Sequence, residues 1–293
     1  MKQANVHFFA FLTILIWGSG FPFTRVIDGA LSSYSIACIR CILPAIVLLL
    51  LRKPLKVGNI KNKFDIVLFA IAGLGAYSAN SLFFSLGLET LPSATASMVT
   101  SIAPILTSIG AWKLYGEKIK PIGWLCIATA FIGVGILLLW NGELAFGIGI
   151  LWEGLYAIVF AVYNLLSNNF AGKGYKPMEI ITYSAVFGAI EMIPFLPSTV
   201  TQVMAASTPA ILAAVYLGLF PACIAYVFWN YALDKTNNTS AVSNWLFVNP
   251  LVAAILGFIM LREIPDMGTF IGGIIIIVSV IVFSTKGIPT EKE

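Results

Sequence analysis

Charge and histidine are what this sequence has least of. Only 10% of its 293 residues are charged while 59% are apolar, too little polar surface to keep an ordinary globular domain in water. With a single histidine, His7, no Ser–His pair or His-rich metal set can be assembled inside the apolar part of the chain. The four cysteines, Cys38, Cys41, Cys126 and Cys223, sit in apolar runs at spacings that match neither a zinc nor a redox site, as buried single thiols do. Nowhere does a glycine-rich phosphate loop follow a strand pattern, so ATP-driven work in this chain has no support. These absences exclude the usual enzyme constellations, and no metal, cofactor or nucleic-acid partner is expected.

What the chain does have is long apolar runs. A hydrocarbon core about 30 Å thick needs roughly twenty residues per helical span, and ten stretches qualify: 8–24, 33–51, 66–88, 93–114, 121–140, 147–169, 178–197, 209–232, 239–261 and 267–285. Their unbroken apolar character favours helices over barrel strands, which alternate polar and apolar positions. The expected fold is therefore an all-α membrane protein with ten transmembrane helices. No small-residue cleavage pattern follows the first run, which is expected to be retained. If the spans alternate, fourteen of the seventeen lysines and arginines fall on the side of the N-terminus. Both termini are then cytoplasmic, in a bacterial inner membrane, with the basic connection 52–65 resting on anionic lipid headgroups.

The chain also repeats itself. LPSATASMVTSIAPILTSIGAWKLYGEKI and NNTSAVSNWLFVNPLVAAILGFIMLREI align Pro104 with Pro250 and Glu117 with Glu263, 146 positions apart. A period this long reads as gene duplication rather than a solenoid, with copies at 1–140 and 141–293. Five spans per copy is an odd number, so the second copy enters the membrane from the other side. Inverted repeats recur in secondary transporters, whose substrate site lies near the midplane between the copies.

Several helix faces carry groups that lipid would reject. Span 1 aligns Thr13, Trp17, Gly20 and Thr24, answered in span 6 by Tyr156, Phe160, Tyr163 and Ser167; span 3 aligns Tyr77, Asn80, Ser81 and Phe84, answered in span 8 by Cys223, Tyr226 and Asn230. Ser97 and Ser101, with Ser243 and Asn244, precede the two prolines. A cavity walled by spans 1, 3, 4, 6, 8 and 9 is expected, with Trp17, Tyr77, Asn80, Ser97, Ser101, Tyr163, Tyr226, Asn230 and Asn244 as substrate-binding candidates. Close helix packing by small residues is the competing explanation, against which Trp17 and Tyr163 are bulky. Pro104 and Pro250 are expected to break their helices, or only to shape packing. The intramembrane charges are Arg40, Glu153 and Glu191, all in the outer half, with Arg40 roughly 10 Å deep at 1.5 Å per residue. A structural ion pair between Arg40 and one glutamate is preferred to proton coupling. Glu117 and Glu263 are expected to cap or anchor helix ends. In GTFIGG (268–273), Gly268 and Gly272 offer a close-packing face, within the chain or in a homodimer.

The stretches WGSGFPFTR (17–25), IRCILPAIVLLL (39–50), 104–117 and 250–263 resemble the drug/metabolite transporter superfamily, in particular its EamA branch. The resemblance implies two five-helix repeats and export of amino acids, other metabolites or drugs. Members similar to this chain often carry lysine where Arg25 stands, and the second copy reads FAV at 160–162 where the first has its WGS opening. The expected function is a secondary, non-ATP exporter of a small amphipathic metabolite working by alternating access. A passive channel would show charged rings or carbonyl filters, and a nucleotide-sugar-like exchanger would need more cations than Arg40 alone to hold its phosphates.

Overall fold

The computed structural model describes residues 2–116, 118–140, 144–235 and 244–287. Among them the only extended pairing is an isolated bridge between Asp28 and Leu31, and the rest is helices and turns. The first copy contributes α1 (Lys2–Val26), α2 (Ser33–Leu50), α3 (Lys63–Ala76), α4 (Ser78–Leu88), α5 (Ser93–Thr100), α6 (Ala103–Tyr115) and α7 (Pro121–Trp140). The second contributes α8 (Leu144–Gly172), α9 (Pro177–Glu191), α10 (Leu196–Ala205), α11 (Thr208–Leu219), α12 (Ala225–Lys235), α13 (Asn249–Leu261) and α14 (Met267–Val282).

Six units are long and apolar enough to cross a bilayer: Val6–Val26, Ser33–Leu50, Lys63–Leu88, Ser93–Tyr115, Gly147–Gly172 and Thr208–Trp229. The pair α9 and α10, bent by 47°, makes a seventh if counted as one span, and Pro121–Leu137, α13 and α14 are shorter apolar helices. The expected ten spans are thus met by six or seven full-length ones. The stretch between the expected spans 178–197 and 209–232 is itself helical through Ala205. Ser198 to Ala206 contains no glycine or proline to stop it, and the helix ends only ahead of Ser207, Thr208 and Pro209.

The duplication is visible in where the helices break. The third span is interrupted at Tyr77, between α3 and α4, and 146 residues on a π-helical turn, Phe220–Ile224, interrupts its counterpart around Cys223. The fourth breaks at Ser101 and Ile102; its counterpart has a 3-10 turn, Asn244–Val248, before α13. Pro104 and Pro250 do not sit at the middle of a kink. Each is the second residue of the helix after the break, where a missing N–H costs no internal hydrogen bond.

Packing relations also survive exchange of the copies. Helix α1 lies against α12 and α13, as α8 lies against α4 and α6, while α2 meets α9 and α7 meets α14. The α7–α14 contact is close because both sides carry glycine. A Cβ built on Gly133 would stand 2.9 Å from the Gly272 carbonyl oxygen, and one on Gly272 would stand 2.8 Å from that of Gly133. The GTFIGG face is therefore used within the chain.

Side chains fasten the copies together at both ends of the bundle. At one end Arg25 pairs with Glu263 at 2.5 Å, and the other Glu263 oxygen accepts from the Ser93 backbone N–H at 2.8 Å. At the opposite end Lys173 pairs with Asp65 at 2.5 Å and the Tyr175 hydroxyl donates to the same carboxylate at 2.8 Å. Glu179 accepts from the Gly58 N–H at 2.9 Å, and Lys61 Nζ donates to the Gly174 carbonyl.

Candidate functional site

The helix breaks surround a cavity of about 120 Å³ between the copies. From the first copy, Trp17, Gly20 and Phe21 of α1, Arg40 of α2, Asn80, Ser81 and Phe84 of α4, and Thr100, Ser101, Ala103 and Pro104 around the second break reach it. The second copy supplies Tyr156 and Phe160 of α8, Pro221 and Ala222 of the π turn, Tyr226 of α12, and Leu246 and Asn249. The wall is mainly apolar, with six aromatic side chains and polar groups set among them, the usual make-up of a small-molecule site.

The π turn and Ala225 just after it present backbone carbonyls to the neighbouring helices. Side chains of the first copy take them up. Trp17 Nε1 donates to the Pro221 oxygen at 3.1 Å, Tyr77 to that of Ala222 at 3.4 Å, and Thr13 to that of Ala225 at 3.4 Å. The indole N–H of Trp17 is thus spent on the partner copy, and its ring face forms the wall, edge-on to Tyr226 at 5.4 Å between centroids.

Of the residues singled out from sequence, Trp17, Asn80, Ser101, Tyr226, Arg40 and Pro104 meet in this cavity. Tyr77 lies behind it, stacked on Tyr226. Ser97 is fully buried and donates to the Ala94 carbonyl at 2.7 Å. Tyr163 is buried against α3, where a Cβ on Gly75 would stand 3.0 Å from the tyrosine Cβ. Pro250 is buried outside the cavity wall. The side chains of Asn230 and Asn244, and the whole of Glu117, lie outside the described residues. Sequence reasoning passed over Asn249 and Ala103. Both precede the paired prolines, and the 146-residue offset that aligned Pro104 with Pro250 aligns them too.

The charges do not pair as expected. Arg40 makes no contact ion pair with either glutamate; its Nε and Nη1 lack hydrogen-bond partners, and its guanidinium lies 4.6 Å from the centre of the Phe84 ring. Glu191 instead accepts from the Ser78 hydroxyl. Glu153 is fully buried with both oxygens unpartnered, wedged against α4 so that a Cβ on Gly87 would stand 2.6 Å from Oε1. Phe84 covers the face of the guanidinium, and neither glutamate reaches its edge. Glu263 does anchor an end, but that of α5 rather than of its own helix.

The sequence matches the EamA-like transporter family in two blocks, residues 5–139 and 147–285. It is 26% identical to a protein of Streptantibioticus cattleyicolor named a probable terminal-alkyne amino-acid exporter, covering 100% of this chain and 98% of that one. It is 27% identical to the uncharacterized transporter YdfC of Bacillus subtilis, over 90% and 86% of the two chains, and 26% identical to an uncharacterized transporter of Archaeoglobus fulgidus, over 94% and 97%. Its backbone is similar to a crystal structure of a protein with 18% sequence identity, at a TM-score of 0.63 over 97% and 98% of the two chains.

Proposed function

Because this chain belongs to the EamA-like transporter family, and is a multi-pass membrane protein and no enzyme, we propose that it is a secondary carrier exporting a small amphipathic compound, an amino acid or a close relative of one. The observation that carries this reading is the cavity between two copies that are fastened across both ends. A carrier working by alternating access needs such a chamber with a closure on each side, and it opens one closure at a time. A continuous pore needs neither closure. The paired helix breaks and the exchangeable packing support ten spans arranged as two inverted five-helix repeats, with the rocking axis at the contacts α2–α9 and α7–α14.

The family resemblance and the exporter among the relatives favour amino acids and outward transport. The basic residues favour cytoplasmic termini in a bacterial inner membrane. A nucleotide-sugar substrate is disfavoured by a cavity wall with one cation, Arg40, where a diphosphate calls for several.

The test is reconstitution into liposomes with a panel of amino acids, purines and sugars, measuring counterflow with and without a pH gradient. Exchange stimulated by substrate on the far side is expected for amino acids. Flux without such stimulation, or flux of none of the panel, ends the carrier reading.

A further inference from the structure

Arg40 stands on the buried stripe of α2 with Ile36, Ala37, Cys41 and Pro44, and among the described residues it is the one charged group in the cavity wall. Its side chain is more than nine-tenths buried. Burial of an ion with no partner costs several kcal/mol even after the surroundings relax, so such a group persists where something completes it. No contact ion pair among the described residues completes this one: Glu153 acts on it only through space. No carboxylate among the described residues touches it, and Nε and Nη1 have no acceptor. Phe84 covers a face of the guanidinium at 4.6 Å, an arrangement that satisfies charge but not the in-plane N–H groups. A guanidinium edge, Nη2 with Nε or with Nη1, is a planar fork suited to a carboxylate held by two parallel hydrogen bonds.

We infer that Arg40 is the seat of the substrate's carboxylate, so that the cavity selects small monocarboxylates. This rests on the carrier reading above and narrows it. The rest of the wall defines the other end of the ligand. Trp17, Phe21, Tyr156, Phe160 and Tyr226 surround the space with rings, and no carboxylate reaches it to hold an ammonium group, because Glu153 is fully buried outside the wall. Recognition therefore depends on the acid and tolerates loss of the amine's charge. Asn80, 4% exposed, stands in the wall beside Tyr156 as a second polar group.

The experiment compares leucine, phenylalanine, N-acetylleucine and leucinamide, using thermal stabilisation of the purified protein for binding and counterflow in liposomes for transport. The acids, N-acetylleucine included, raise the melting temperature, and leucinamide does not. Arg40→Gln weakens the acids' binding roughly ten- to hundredfold, the range for a hydrogen bond to a charged group, and Arg40→Lys restores part of it. Because the comparison of acid with amide uses the unaltered chain, a variant that fails to fold leaves the test intact. Stabilisation by leucinamide equal to that by leucine, or by none of the compounds, overturns the seat. Acid-dependent binding without counterflow leaves the seat standing and sinks the carrier reading, whereas counterflow of leucine and leucinamide alike does the reverse.

Discussion

Arg25 and Glu263 join the first copy to the second across one end of the bundle, with Nε 2.5 Å from the carboxylate and the side chains 27% and 12% exposed. The same arginine donates to the carbonyls of Leu88 and Leu91 at the end of α4, and the same glutamate holds the start of α5. One pair thus gathers α1, α4, α5 and α13. If this is a closure that transport must open, Arg25→Gln and Glu263→Gln each shift the protein toward the state open at that end. Labelling of Ser101→Cys in the cavity by an impermeant external reagent then speeds up several-fold, and the charge-swapped double variant Arg25→Glu/Glu263→Arg slows it again. Unchanged labelling in both single variants would show that the pair only braces the helices.

Asp65 plays the matching part at the other end. Its side chain is 3% exposed against 38% for Lys173, and Tyr175, itself held by the Lys61 backbone N–H at 2.7 Å, shares it. Removing the charge by Asp65→Asn loses hydrogen bonds to an ion worth about 1.5–3 kcal/mol each. The same Ser101→Cys reporter should then react faster from the cytoplasmic side and no faster from outside. Faster reaction from outside would mean that the two ends do not alternate.

Trp17 and Tyr163, alike in sequence as bulky residues on polar faces, separate in the structure. Trp17→Ala opens the cavity wall and orphans the Pro221 carbonyl, so transport falls more than protein amount. Trp17→Phe keeps a six-membered ring in the wall but loses part of the indole and also leaves the Pro221 carbonyl unpaired, about 1–3 kcal/mol, so it retains more transport than Trp17→Ala. Tyr163→Ala leaves a hole against α3 instead and costs about 3–5 kcal/mol, lowering the amount of folded protein while the survivors exchange substrate normally. Normal abundance of Tyr163→Ala with lost transport would return that residue to the cavity.

How much could be read from residues alone differs between backbone and site. Long apolar runs and the 146-residue echo of Pro104 in Pro250 carry the helical class and the duplication, because both depend only on composition and spacing. The break positions were missed by two to three residues, since proline is tolerated in a helix's first turn and the break therefore falls at Ser101 and Ile102. Helical spacing found the face holding Trp17 and Asn80, but it does not tell a residue facing the cavity from one a turn away. Tyr77 and Tyr163 share those faces and are buried behind. The partner of Arg40 was the hardest to read. It depends on which rotamer Phe84 leaves open, and Glu153 and Glu191 are equally plausible on depth alone.

Glu153 and Glu191 are separated by their surroundings, and that separation predicts which one carries a proton. Glu191 is hydrogen-bonded by Ser78 and partly exposed, so its charge is tolerated in every state. Glu153 is fully buried without a hydrogen-bond partner, and only the neutral acid is cheaply held there. In the carrier proposed above, opening an end would shift α8 on α4 and admit water to this carboxyl, where its proton could leave. A gradient of protons directed inward can then drive an exporter through Glu153. Glu153→Gln holds the neutral form permanently. The variant should keep counterflow, which needs no net proton movement, and lose acceleration of net export by an imposed pH gradient, while Glu191→Gln keeps both. Gly87→Ala, whose Cβ would press on Oε1 at 2.6 Å, should impair the gradient response more than counterflow. Gradient-driven export that survives Glu153→Gln in correctly folded protein would make that carboxyl a structural group and leave the carrier an exchanger.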